Sequence, residues 1–504
     1  MSASEEAGTA AAARETARAL VMAAREAVRG TWRVDGIDVG PAVEQQLFFA
    51  LRDGTFPVHR GYGRRHRVLP AAAALAALAG GMRRRPWAAG PREILVVVRQ
   101  EVHLRLLEPV TAALAALGRP APAVVRLGRA GADSTLEAWG PALAGLLRPA
   151  DAGRLLTVGV PPPDRLADAW SALVGNDRAR SLAALAARTR IEAGLGAVGL
   201  SSAVRQVRPR VLATYDEVGS WGRLVAAVAA RHGLVSVDLP HAEAVDAIAI
   251  AGGGFDAWAV FWPRSAATLR AAGIPAERIV TVGAARFDAL VRDPSVPQPA
   301  GPRTILFASQ YIGGPVVTRT VKERTLALAL GAAAAAAPAR LIVVPHPAES
   351  DDVTRQLLRS ASRRPGLEVG VASDRTLHDL LPGAWLLLTG SSQSVLDATA
   401  AGVPSVTLNA TGGADPVPYA AEGLALGAAD EAAAAAAIGS LLDGEARERQ
   451  LARARAALEA HIGPLDGRAA ERTARLLAGL AADPPTMPGE GGLLPAGTSQ
   501  KDGT

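Results

Sequence analysis

Short runs that are apolar at nearly every position recur through this chain, and each gives way to a segment of helical period. Ile94-Leu95-Val96-Val97-Val98 is the first, and Leu341-Ile342-Val343-Val344 and Leu386-Leu387-Leu388-Thr389 repeat the form. A run without polar alternation belongs to a strand covered on both faces, the condition of a parallel sheet. Strands alternating with helices predict an α/β, doubly wound architecture. The pattern predicts strands over 94–98, 123–127, 155–160, 211–215, 234–239, 257–261 and 278–282. It restarts over 304–308, 341–344, 367–371, 385–389 and 405–408.

Between the two sets lies Arg292-Asp293-Pro294-Ser295-Val296-Pro297-Gln298-Pro299-Ala300-Gly301-Pro302, rich in residues that stop both helix and strand. The chain therefore reads as an N-terminal helical extension over 1–90 and a Rossmann-like domain over 91–291. A hinge linker over 292–302, a second Rossmann-like domain over 303–482 and a disordered Pro/Gly-rich tail over 483–504 complete it. Two doubly wound parallel-sheet domains so joined are expected to face each other across a cleft.

The 504 residues contain no cysteine, which excludes disulfides, thiolate metal sites and a thiol nucleophile. A formal charge of +6 suits anionic ligands or surfaces. The acidic, small start of the chain is not a secretory signal. The apolar run over 68–82 falls short of the roughly 18–20 residues of a span, although arginines flank it. It reads as a buried helix with basic ends, or as one lying on an anionic bilayer. The expectation is a cytoplasmic protein, with peripheral association at the inner face of the cell membrane as the variant.

In an open α/β sheet the ligand crevice lies beyond the carboxyl ends of the strands. Two of those ends stand out. One delivers Pro345-His346-Pro347, the other Gly390-Ser391-Ser392-Gln393-Ser394 with Asp397 one turn into the next helix. A Gly-Ser-Ser turn opening a helix offers N–H groups and hydroxyls to a phosphate. Each also has a local explanation: a stiff loop for the first, an ordinary helix cap for the second. At the ends of the earlier strands stand Asp216-Glu217 and Pro240-His241-Ala242-Glu243. No Gly-x-Gly-x-x-Gly follows the first strand, and no Walker loop is present.

Taken together, His346-Pro347, Ser391-Ser392 and Ala272-Gly273-Ile274 through Arg286-Phe287-Asp288 resemble a known group. They are similar to GT-B-type bacterial surface and capsule polysaccharide transferases, the polysialyltransferase and CDP-glycerol glycerophosphotransferase group, related to UDP-N-acetylglucosamine 2-epimerase. The resemblance runs over about 208–442. Departures are visible. His241-Ala242 stands where many relatives have His-Gly, and Gly390-Ser391-Ser392 where the epimerase has Ser-Gly-Gly. Asp216-Glu217 is followed by Val218, so the acidic-acidic-Gly motif of polysialyltransferases is not reproduced.

The resemblance implies a GT-B-like pair of domains, the first for the acceptor and the second for the nucleotide donor. It implies transfer of a sugar or polyol phosphate from a nucleotide-activated donor to a glycan or lipid-linked acceptor. The donor phosphate would meet His346, Gly390, Ser391, Ser392, Gln393 and Ser394, helped by Ser309 and Gln310, with Asp397 at the ribose. The acceptor hydroxyl needs a base: His241 first, with Glu217, Asp216 and Glu243 on the same side. No cofactor, no metal and no nucleic acid is expected. A sugar-nucleotide 2-epimerase or hydrolase, or a non-catalytic sugar-nucleotide binder, is the alternative.

Overall fold

The computed structural model describes residues 3–28, 32–54, 70–75, 77, 91–99, 101–126, 147–158, 163–241, 246–291, 303–310, 317–346, 351–360, 364–372, 375–413, 415, 417–462 and 465–482. The expected hinge over 292–302, the tail over 483–504, Pro347 and Glu243 lie outside the described residues, as does most of 68–82.

A two-residue hairpin opens the strand list, β1 (Arg33–Val34) against β2 (Ile37–Asp38). Asp35 and Gly36 turn it, both with positive φ, as a two-residue hairpin loop requires. The first large sheet holds β3 (Ile94–Val98), β4 (Ala123–Arg126), β5 (Val211–Thr214), β6 (Val235–Asp238), β7 (Ala257–Val260) and β8 (Ile279–Thr281). Its order is β4-β3-β5-β6-β7-β8, parallel throughout. The second holds β9 (Arg303–Ala308), β10 (Ala339–Val344), β11 (Leu367–Val371), β12 (Leu386–Thr389), β13 (Ser405–Leu408) and β14 (Leu426–Ala428). Its order is β11-β10-β9-β12-β13-β14, again all parallel. Counted from its own first strand, that is the Rossmann sequence of strands.

The apolar runs are explained by two-sided burial. Along β3, Leu95 and Val97 enter one core cluster while Ile94, Val96 and Val98 enter another on the opposite face. β9 divides the same way, Leu306 and Ala308 to one side, Ile305 and Phe307 to the other. The domains also share a core: Phe261, Trp262, Phe287 and Leu290 of the first pack with Leu306, Leu396 and Leu458 of the second.

Three features depart from the sequence reading. The start of the strand expected over 155–160 instead ends a helix, Ala152–Leu156, that follows a 3-10 turn, Pro149–Asp151. The Asp151 carboxylate accepts from Arg148 N at 2.8 Å and pairs with Arg205 at 2.6 Å, which fixes a helical start. β14 was not expected, because Leu-Gly-Ala carries no strand signal and is extended by its ladder to β13. Finally, the helix Ala469–Ala482 lies on the first sheet, where Ala470, Ala474, Leu477 and Ala481 join Val96 and Val211. Asp288 caps it from the first domain, accepting from Ala469 N at 3.0 Å and Ala470 N at 2.7 Å.

The N-terminal helices Ala3–Ala27 and Gly40–Arg52 pack on Pro163–Val174 and Asn176–Val207 through Leu20, Leu47, Phe48, Leu166 and Trp170. No helix among the described residues is long and apolar enough to cross a membrane.

Candidate functional site

β5 ends at Thr214, and the chain then winds around the carboxylate of Asp216. Its Oδ2 accepts from Gly222 N at 2.8 Å and its Oδ1 meets Arg99 Nη1 at 3.2 Å. Gly222 opens the helix Ser220–His232 so close to this turn that a Cβ would overlap the Asp216 carbonyl oxygen. Gly222→Ala is therefore expected to lower unfolding free energy by about 1–3 kcal/mol, the range for forced overpacking. Chemical denaturation reads this directly, and an unchanged midpoint would mean that the turn tolerates the methyl group. The same turn is held from outside by the helix Gly40–Arg52. Gln45 Nε2 donates to Val218 O at 2.5 Å, and Gln46 Nε2 to Ser220 Oγ at 2.8 Å.

Glu217 leaves this turn toward His241, which follows the end of β6. Glu217 Oε2 and His241 Nδ1 stand 2.9 Å apart, an ion-pair distance without hydrogen-bond alignment. Burial disfavours charge on His241, but Glu217 and then Asp216 outweigh it and hold the pKa above its ordinary value, with Arg286 opposing. His103, from the helix Glu101–Ala116, lies 5.4 Å from the His241 ring and 5.3 Å from Tyr215. Its burial, with His241 and Arg99 nearby, pushes its pKa down to about 3, so it stays neutral. Asp238, beneath the pair, is raised by burial and by Glu217, and its Oδ1 accepts from Asp216 N at 3.2 Å.

On the second sheet, β10 and β12 flank β9 on either side, with all their carboxyl ends on one edge. Two strand spacings separate β10 from β12, about 10 Å. β11 takes the outer edge, so the strands ending before His346 and Gly390 are near neighbours. His346 is exposed just past β10. Ser309, past β9, is buried and donates its N–H to Val344 O at 3.0 Å. Gln310 crosses to the next strand end: Nε2 donates to Ser391 Oγ at 3.1 Å, and Oε1 accepts from Ser391 N at 3.3 Å. A Cβ at Gly390 would overlap that Oε1, so the close approach its glycine permits is to Gln310. Ser392 Oγ accepts from Ser394 N at 3.2 Å, which leaves its own O–H free to donate elsewhere. Gln310, Gly390, Ser391, Asn409, Thr411 and Asp415 line one cavity at this edge.

The two edges meet through Arg286, carried by the short helix Ala285–Asp288 of the first domain. Its Nε lies 3.0 Å from Asp397 Oδ1, and His378 Nε2 lies 3.0 Å from the same oxygen. Burial works against the Asp397 charge, yet Arg286 and His378 overcome it and hold the pKa below the ordinary carboxylate range. Arg286 Nε and Nη2 are buried without an aligned hydrogen-bond acceptor. The guanidinium also lies over Phe261 and Phe287, 5.5 and 5.0 Å from the ring centroids.

The structure thus brings Asp216, Glu217 and His241 together on one edge, and Gln310, Gly390 and Ser391 on the other. Asp397, expected at a ribose, has one oxygen engaged by Arg286 and His378. Sequence reasoning missed His103 and His378, and gave Arg286 no role. All three sit on helices, where nothing local separates them from surface residues. Among the described residues no three His, Asp or Glu side chains form a metal-binding group.

No protein-family model matches the chain, and no curated protein matches it in sequence. Among solved structures it is similar to S. aureus MnaA in complex with UDP, at 14% identity over 79% of this chain and 100% of that one, TM-score 0.48. It is similar to the UDP-GlcNAc 2-epimerase of Methanocaldococcus jannaschii with UDP-GlcNAc and UDP, at 13% over 76% and 99%, TM-score 0.45. The wall teichoic acid polymerase TagF, as a variant, matches at 12% over 58% of this chain and 76% of that one, TM-score 0.38.

Proposed function

We propose that this protein is a metal-independent transferase. It moves a sugar or polyol phosphate from a nucleotide-activated donor to a glycan or lipid-linked acceptor, in the assembly of a surface or capsule polysaccharide. The observation that carries this reading is the Glu217–His241 pair on one sheet edge, within the field of Arg286, which pairs with Asp397 on the edge of the other. A base and a polar, anion-compatible edge on opposite domains are what a two-substrate displacement needs.

The Glu217 charge, 2.9 Å from His241 Nδ1, favours the proton on that nitrogen and leaves Nε2 to take the acceptor hydroxyl proton. The acceptor oxygen then bonds to the reacting centre of the donor as the bond to the nucleotide phosphate breaks. The departing phosphate gains charge, and donors already in place lower that barrier. His346, the hydroxyls of Ser391 and Ser392, and Arg286 fill this role, while Ser309 and Gln310 set the loop. Asp397 holds Arg286 and His378 in position.

Incubation with a panel of nucleotide sugars, with and without glycan acceptors, tests the reading. Acceptor-dependent donor turnover, equal with and without EDTA, is the expected result. Donor consumed without acceptor would replace transfer by epimerisation or hydrolysis. Saturable donor binding without turnover would make the chain a non-catalytic binder.

His346→Ala is expected to lower turnover by about 10²–10³, the usual loss for one charge-stabilising donor. Ser392→Ala should weaken donor binding and also cost about 1 kcal/mol of stability through the lost bond from Ser394 N. The double variant should fall well short of the product of the two rate effects, because both side chains serve one anion. Full additivity would place them on separate groups.

A further inference from the structure

Behind the Asp216 turn, the first domain has a second cavity, lined by Arg14, Arg18, Glu44, Gln45, Arg223 and the backbone at 251–252. Arg14 comes from the helix Ala3–Ala27 and Arg223 from the helix Ser220–His232. Both are committed on one side. Arg14 Nη2 donates to Ile248 O and Ala249 O at 2.9 and 3.0 Å. Arg223 Nη2 reaches Ala249 O and Ile250 O at 2.9 Å each. Gln45 Oε1 accepts from Arg14 Nη1 at 2.9 Å.

Donor capacity remains after those bonds. Arg223 is only 5% exposed, and its Nη1 is buried without a hydrogen-bond partner. Arg14 Nη1 has one N–H beyond the bond to Gln45, and Arg18 is exposed at the cavity wall. Carbonyl dipoles compensate a buried guanidinium only in part, and a buried cation without a counter-charge is expensive. Among the described residues, no carboxylate forms an ion pair with Arg14, Arg18 or Arg223. Carboxylates bear on these guanidiniums through their field alone, Glu44 on both, Asp246 on Arg14, and Asp216 and Asp238 on Arg223. Among the side chains that line the cavity itself, three arginines stand against one carboxylate. Planar guanidinium forks pair bidentately with carboxylate and phosphate alike, and a phosphate has the extra oxygens to meet three arginines at once.

We propose that this cavity binds a phosphate-class oxyanion, separately from the donor site, with Arg18 as the mobile ligand and Arg14 and Arg223 as the fixed ones. Gln45 and Arg223 back the Asp216 turn, but no residue assigned to the donor or to the acceptor base lines this cavity, so the site stands whether or not the transferase reading does.

Calorimetric titration of the full-length protein with inorganic phosphate, at constant ionic strength, tests it. The expected result is a saturable binding event that persists in Ser392→Ala and is weakened at least tenfold in Arg18→Ala. Arg18 is exposed, so its variant should keep the wild-type circular dichroism and melting temperature in the absence of phosphate. Sedimentation with phosphatidic acid vesicles, against phosphatidylcholine vesicles, separates the two sources of the anion. Arg18-dependent sedimentation assigns the phosphate to a lipid headgroup, and its absence assigns it to a soluble phosphate. The proposal is overturned if no saturable phosphate binding is found, or if binding survives Arg18→Ala and disappears in Ser392→Ala.

Discussion

Glu217→Gln is expected to lower turnover by about 10²–10⁴, the range for general base catalysis, and to move the acid limb of kcat/KM to lower pH. The sign follows from the base role. His241 accepts a proton only when neutral, so the rate rises with pH through its pKa. Glu217 and Asp216 hold that pKa above the ordinary value against the pull of burial. Removing the Glu217 charge lets burial and Arg286 act with less opposition, and the limb shifts down. Stability should change as well. A raised histidine pKa adds stability that is fully present below the unfolded value, about 6.5, and is lost as pH rises through the folded value. The glutamine variant should lose that pH-dependent contribution. His103 works the other way: with its pKa near 3, its contribution is present above about 6.5 and lost as pH falls. Pre-steady-state and steady-state pH profiles decide the matter. A glutamine variant with wild-type turnover and an unmoved limb would remove His241 as the base.

Arg286→Ala is expected to lower unfolding free energy by about 3 kcal/mol, the low end for breaking a buried ion pair. Asp397, 8% exposed at its side chain, would keep its buried charge with His378 alone. Adding Asp397→Asn should restore part of the loss, since the stranded charge causes most of it. The acid limb should move to higher pH, opposite to the Glu217 variant, because Arg286 disfavours the protonated form of His241. Denaturation of both variants and a pH profile of the first read these effects. Stability unchanged together with an unmoved limb would dissolve the link between the two domains through this arginine.

Much of the molecule was legible before any coordinates. β3, β9, β10 and β12 read as buried strands because two-sided burial forces an unbroken apolar run, and such runs survive in sequence. The candidate residues Glu217, His241, His346 and Ser391 were found by one rule, that polar residues at carboxyl ends of parallel strands face the crevice. The described part of the strand expected over 155–160 is not extended, because Leu155 is buried in a helix and Val158 just after it, and short apolar segments do not announce their period. His103, Arg286 and His378 were invisible for a different reason. Each sits on a helix, and its partner lies many residues away.

The sequence by itself determined where most strands and helices form, that both sheets are parallel, and which polar residues follow the strand ends. These are local consequences of apolar periodicity and turn residues. Tertiary structure alone decided the strand orders, the Glu217–His241 approach and the Arg286–Asp397–His378 junction. It also decided that Asp288 caps a helix 181 positions away. Such contacts depend on how far apart two surfaces stand after packing. A carboxylate reads the same in sequence whether it faces water, a helix N-terminus or an arginine from another domain.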